Sequence, residues 1–131
     1  MHRVLEGRKI LLLEDEPLVM MDVCAALEER GAKVYCAQSL MQAEALMAEV
    51  NVAAAVLDYV LREGTADAIC ERLKSSGIPF AIYSGYQNVE GTCSRGDIIT
   101  KPSTAEDLIS HVVGLLLSQG LEPKTAVADG S

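Results

Sequence analysis

The sequence predicts an α/β domain: a five-stranded parallel sheet, doubly wound, with helices on both faces. Two observations predict it. Short aliphatic runs alternate along the chain with segments of helical period. Those runs are apolar at consecutive positions, as strands covered on both faces must be.

Lys9 to Glu14 reads as the first strand. Pro17 suits the first turn of a helix that runs to Arg30 and stops at Gly31. Lys33 to Ala37 (K-V-Y-C-A) is the second strand. Ser39 caps a helix whose apolar positions Leu40, Ala43, Met47 and Val50 recur at helical spacing. Val52 to Asp58 (V-A-A-A-V-L-D) is the third strand, apolar until its last residue. Thr65 is placed to cap a helix ending at Ser75 or Ser76, with Gly77 and Pro79 beyond. Phe80 to Ser84 is strand four and Asp97 to Thr100 is strand five. Lys101-Pro102 follows, then Ser103-x-x-Glu106 or Thr104-x-x-Asp107, either of which is a capping-box signature. The last helix runs to about Leu117. The chain divides into an N-terminal extension (1–7), one folded domain (8–118) and a flexible C-terminal tail (119–131).

At 131 residues the chain forms one domain, large enough to bury a core without staples. A formal net charge of -8 argues against nucleic acid as a partner, which requires clustered Lys and Arg. The longest apolar runs are too short to span a bilayer, and the N-terminus M-H-R-V-L-E-G-R-K has no signal-peptide core. A cytoplasmic protein with no membrane association is expected. Cys24, Cys36, Cys70 and Cys93 include no C-x-x-C pair and read as reduced thiols, three of them within apolar periodic segments. With His2 and His111 the only histidines, a zinc site of Cys and His is not indicated.

A parallel sheet of this kind places its site beyond the carboxyl ends of its strands. Those ends carry Glu14-Asp15-Glu16, Asp58, Ser84 and Lys101-Pro102. Repulsion and desolvation both oppose crowding acids at the end of a buried run. Carboxylates so placed are oxygen ligands for a hard cation, and Mg²⁺ fits with waters completing its shell. A lysine and a hydroxyl facing them suit a phosphoryl group. A further carboxylate can act as nucleophile and form an acyl phosphate. Taken singly, these residues have other readings. Glu16 before Pro17 reads as a helix-start acid favoured by the dipole, Ser84 before Gly85 equally as turn chemistry, and Lys101 as a solvated lysine. Their joint placement favours a site.

The order E-D, then L-D, then S-G after an apolar strand, then K-P before a helix resembles the receiver domain of two-component response regulators. The resemblance spans residues 8 to about 117 and implies a flavodoxin-like, receiver-like fold. It implies Asp58 as the phosphoacceptor, with Ser84 gripping the phosphoryl group and Lys101 pairing with it. It implies Mg²⁺, with Mn²⁺ as an alternative, held by Glu14, Asp15, Asp58 and the backbone carbonyl of Val60. Pro102 would hold the peptide geometry of Lys101. The implied partner is a sensor histidine kinase or a histidine phosphotransfer protein. The protein would catalyse only its own phosphorylation and dephosphorylation, as a monomer or weak dimer. A chain ending after the last helix is expected to carry no output domain.

The sequence also departs from that family. Ile98 stands where receivers usually carry a switching Tyr or Phe, and Tyr86 is the nearest substitute. Only twelve residues, G-Y-Q-N-V-E-G-T-C-S-R-G, separate strands four and five. They have almost no helical period, so the fourth helix is expected to be shortened or missing. The S-G-Y segment, with V-L-D-x-x-L-R-E-G before it, resembles a subset of stand-alone receivers from alphaproteobacteria. Val60 and Tyr86, each two residues beyond a site residue, are expected to shield the acyl phosphate and slow its hydrolysis. On the first helix, Val19, Val23, Ala26 and Leu27 face the core. Leu18, Met21 and Ala25 form an opposite apolar strip suited to a docking helix, with scattered surface apolar residues as the plainer explanation. Two rival readings are a degenerate receiver acting as a binding module and a small phosphohydrolase-like enzyme. The latter would need a proton donor where Val60 stands. A flavodoxin-like cofactor binder would need a phosphate loop in place of E-D-E.

Overall fold

The computed structural model describes residues 4–62, 64–84, 97–100 and 106–117, with backbone only at 84 and 97–100. The first strand, β1 (Lys9–Leu13), shows how the core divides. Leu11 and Leu13 pack into one apolar cluster, Ile10 and Leu12 into another on the opposite face. In β3 (Ala54–Asp58), Ala55 and Leu57 join the first cluster, Ala54 and Val56 the second. Burial on both faces is why these strands read as unbroken apolar runs. Fully burying one such leucine is favourable by about 2 kcal/mol.

Helices α2 (Leu40–Glu49) and α3 (Asp67–Ser75) close the first cluster through Ala43, Ile69 and Leu73. Helix α1 (Pro17–Glu29) and helix α4 (106–117) close the second through Val23, Leu27, Leu108 and Val112. Leu5, ahead of the first strand, is buried in that second cluster. With β2 (Lys33–Ala37), β6 (Phe80–Ser84) and β7 (Asp97–Thr100), the sheet has the order β2-β1-β3-β6-β7, and every neighbouring pair is parallel. The four helices among the described residues accord with a shortened or missing fourth crossover helix. Residues 85–96 themselves lie outside the described residues. Twelve residues is close to the shortest connection that can join parallel strands.

Local signals decide most boundaries. Ser39 Oγ accepts the Gln42 N–H at 3.1 Å, the expected cap of α2. Gly31 takes φ +91° just past the end of α1. The third strand begins at Ala54 rather than Val52, because its pairing with β1 starts at Ile10↔Ala54. Thr65 does not cap α3. Ala66 holds the N-cap position, and the Thr65 hydroxyl donates to Asp67 Oδ2 at 2.8 Å. Thr65 is instead held in an unpredicted hairpin, β4 (Val60–Leu61) against β5 (Gly64–Thr65). Cys70, wholly buried on α3, is disulfide-bonded, which corrects the expectation of a reduced thiol there. Tertiary approach, rather than sequence spacing, decides which cysteines meet. Cys24 and Cys36 are free and half-buried, while Cys93 lies outside the described residues. Among the described residues no helix is long and apolar enough to cross a membrane.

Candidate functional site

The chain runs from β1 outward to β2 and then returns past β1 to β3. Helices α1 and α2 therefore diverge to opposite faces and leave a crevice beyond the carboxyl ends of β1 and β3. The register sets what enters it. Leu13 pairs with Leu57, so Glu14 and Asp58 leave their strands at the same level. Glu14 is held there by its N–H, which donates to the Ala37 carbonyl at 3.0 Å. Asp15 follows at the start of the turn into α1.

One carboxylate oxygen from each of Glu14, Asp15 and Asp58 lies within 4.8 Å of the other two. Glu14 is 2% exposed and Asp58 7%, so two of the three acids are removed from bulk water. At an effective dielectric of about 20, two like charges at this separation repel by roughly 3 to 4 kcal/mol. A cation among them relieves that cost. The donor set is all oxygen, as a hard cation requires, and oxygens sharing one octahedral Mg²⁺ stand about 3 to 4 Å apart given bonds of about 2.1 Å. These acids fit such an ion with small adjustment.

Glu16 stands apart from this group. It occupies the N-cap of α1, and its N–H donates to Glu14 Oε2 at 3.0 Å. Its backbone thus helps orient a member of the cluster, while its exposed side chain makes no capping bond. Asp58 pairs in register with Tyr83, and Ser84 ends β6 opposite Thr100. The Ser84 backbone therefore reaches the same sheet edge one step beyond Asp58, and Thr100 brings the chain to that edge immediately before Lys101. Lys101, Pro102 and Tyr86 lie outside the described residues. Ile98 sits in β7 opposite Ile82. The Val60 side chain is 43% exposed at the rim of the crevice.

Sequence reasoning missed the hairpin and what it delivers. The Arg62 N–H donates to Asp15 Oδ2 at 2.8 Å, and Arg62 Nε lies 3.9 Å from the same oxygen. The available signal was R-E-G after the aspartate strand, since a glycine there permits a tight reversal. Gly64 takes φ +142°, a region essentially reserved for glycine. Tyr59, buried beside Asp58, donates its hydroxyl to Asp67 Oδ1 at 3.4 Å and ties the strand end to α3.

On α1, Val23 and Leu27 are buried as expected, and Val19 and Ala26 pack partly against the core. Leu18 is 76% and Met21 63% exposed, with Ala25 and Asp22 also at the surface. Between α1 and β2 lies an apolar groove of about 260 Å³, lined by Met20, Met21, Cys24, Ala25, Glu28 and Cys36. Burial, a hydrogen bond with Cys36 and the nearby Glu28 push the Cys24 thiol up to about 12, and burial raises Cys36 as well. Both are protonated near neutral pH, so this groove is an uncharged apolar surface apart from Glu28.

No family model and no curated protein sequence matches the chain. Solved structures do. A CheY-like response regulator receiver domain protein from Methanospirillum hungatei JF-1 superposes with a TM-score of 0.80 at 22% identity, covering 89% of this chain and 99% of that one. SdrG from Sphingomonas melonis Fr1 gives 0.71 at 28% identity, covering 88% and 99%. The response regulator TrrA from Thermotoga maritima, solved in complex with Mg²⁺ and BeF, gives 0.73 at 17% identity, covering 82% and 98%. The crevice with its three acids thus sits in the flavodoxin-like fold that response regulator receiver domains share.

Proposed function

We propose that this chain is a phosphoacceptor receiver that takes a phosphoryl group onto Asp58 from a sensor histidine kinase or a histidine phosphotransfer protein. The observation that carries the reading is the convergence of the Glu14, Asp15 and Asp58 carboxylates at the switch point of the sheet. The receiver folds of the neighbouring structures support it, as does the Mg²⁺ and BeF complex of TrrA.

Glu14, Asp15, Asp58 and the Val60 carbonyl would hold Mg²⁺ or Mn²⁺. When bound, that ion supplies positive charge beside the anionic phosphoryl oxygens. An Asp58 carboxylate oxygen attacks phosphorus in line. The new O–P bond forms as the P–N bond of phosphohistidine breaks, and the departing imidazole keeps the electron pair and takes up a proton. Ser84 is assigned the hydrogen bond to a phosphoryl oxygen and Lys101 the balancing charge. With Tyr59 and Val60 following Asp58, no acid or amide side chain stands two residues beyond it to activate water. That supports a signalling protein with a long-lived acyl phosphate over a phosphohydrolase. Output is assigned to protein–protein contact in the cytoplasm, with donor docking on Leu18, Met21 and Ala25. The narrower likeness to alphaproteobacterial stand-alone receivers belongs to this reading too.

Incubation with acetyl phosphate and Mg²⁺ followed by intact-mass measurement tests the proposal. Wild type should gain one phosphoryl group, whereas Asp58→Ala and chelator-treated wild type should gain none. Phosphorylation of the Asp58→Ala variant would overturn the assignment. Mg²⁺ binding without phosphorylation would favour the binding-module alternative. Met21→Asp should slow transfer from a kinase but leave acetyl phosphate reactivity unchanged.

A further inference from the structure

The proposed function leaves Arg62 without a role. Its position is nevertheless built. Leu61 beside it is 5% exposed, Gly64 closes the hairpin at φ +142°, and the Ala66 N–H donates to the Tyr59 carbonyl at 2.9 Å beneath it. This scaffold points the Arg62 N–H at Asp15 Oδ2, 2.8 Å away. The side chain is held differently. Its Nε lies 3.9 Å from the same oxygen, beyond hydrogen-bond length, and it is 79% exposed.

We infer that Arg62 is a positioning and charge-balancing residue of the acid site: its backbone fixes Asp15, and its guanidinium competes with the divalent cation. Resting on the receiver reading above, this gives the site a built-in weak competitor. Without the ion, the guanidinium offsets part of the repulsion among Glu14, Asp15 and Asp58. Once a dication binds, the same positive charge opposes it. The exposed side chain can swing away, so the competition is electrostatic and screened by salt. The repulsion between like charges of one and two units about 6 Å apart in water, reduced by physiological salt, corresponds to roughly a threefold to fivefold change in affinity.

The test is calorimetric titration of the full chain with Mg²⁺ for wild type, Arg62→Gln, Arg62→Lys, Asp15→Asn and Asp58→Asn. Arg62→Gln keeps the backbone N–H and part of the apolar stem but removes the charge. It should bind Mg²⁺ about threefold to fivefold more tightly at physiological salt, with a larger gain at low salt and a smaller one at high salt. Arg62→Lys should match wild type. Without Mg²⁺, Arg62→Gln should melt below wild type, yet show the larger rise in melting temperature when Mg²⁺ is added. If Arg62→Gln and wild type bind alike while Asp15→Asn and Asp58→Asn bind poorly, the inference about Arg62 fails and the acid site stands. If the two aspartate variants bind Mg²⁺ as wild type does, the receiver reading itself fails.

Discussion

The two ends of the same strands carry opposite charge and opposite exposure. At the amino edge of the sheet, Arg8 precedes β1, and Lys9 pairs in register with Lys33 of β2. All three are exposed, and that edge offers an open crevice of about 290 Å³ floored by Val52, Ala53, Ile78 and Pro79. At the carboxyl edge, Glu14 and Asp58 are buried, with Asp15 beside them. Cations in water repel weakly, because solvent screens them, and such pairs contribute little. Buried carboxylates at close range are costly without a compensating cation. Like charge at the amino edge is therefore a solvated surface, whereas like charge at the carboxyl edge marks a candidate site.

The sharpest way to break this contrast is Asp58→Asn, which should abolish phosphorylation by acetyl phosphate while leaving the fold intact. Neutralising one of three crowded acids should also raise the Mg²⁺-free melting temperature by a few degrees. One residue earlier on the same strand, Leu57→Ala should do the reverse. It removes a wholly buried side chain from the α2/α3 face, at a cost of about 2 to 5 kcal/mol in denaturant unfolding. Val60→Asn at the crevice rim should shorten the phosphoryl lifetime about tenfold by orienting a hydrolytic water, read as the decay of phosphorylated mass. An unchanged lifetime would remove Val60 from the account. Smallest is Arg72→Ala, remote from the site. Its 3.5 Å pair with Glu44 is solvent-exposed, so stability should change by about 0.5 kcal/mol or less, and Mg²⁺ affinity should not change.

Much of the site was legible because its signals are local. A strand buried on both faces must be apolar at every position, so Glu14 and Asp58 mark strand ends wherever the strands lie. Pro17, Ser39 and Gly31 marked helix boundaries for equally local reasons. The β4–β5 hairpin was not legible, since two residues per strand are too few to show a period. With it went the placement of Arg62 against Asp15, separated by 47 positions in the chain. Thr65 illustrates the competition: a good capping residue by type, it was drawn into the hairpin and left the cap to Ala66. Cys70 illustrates it again, since no spacing in the sequence announced its disulfide.

The sequence by itself determined the alternation of strands and helices, the two-faced burial of β1 and β3, and the polar residues at their ends. Each of these follows from the period and chemistry of a few adjacent residues. Only the tertiary structure decided that β1 lies between β2 and β3, so that Glu14 and Asp15 meet Asp58, and that a two-residue hairpin carries Arg62 to them. Strand adjacency depends on how crossovers pack across the sheet, and an apolar strand fits equally well beside several neighbours.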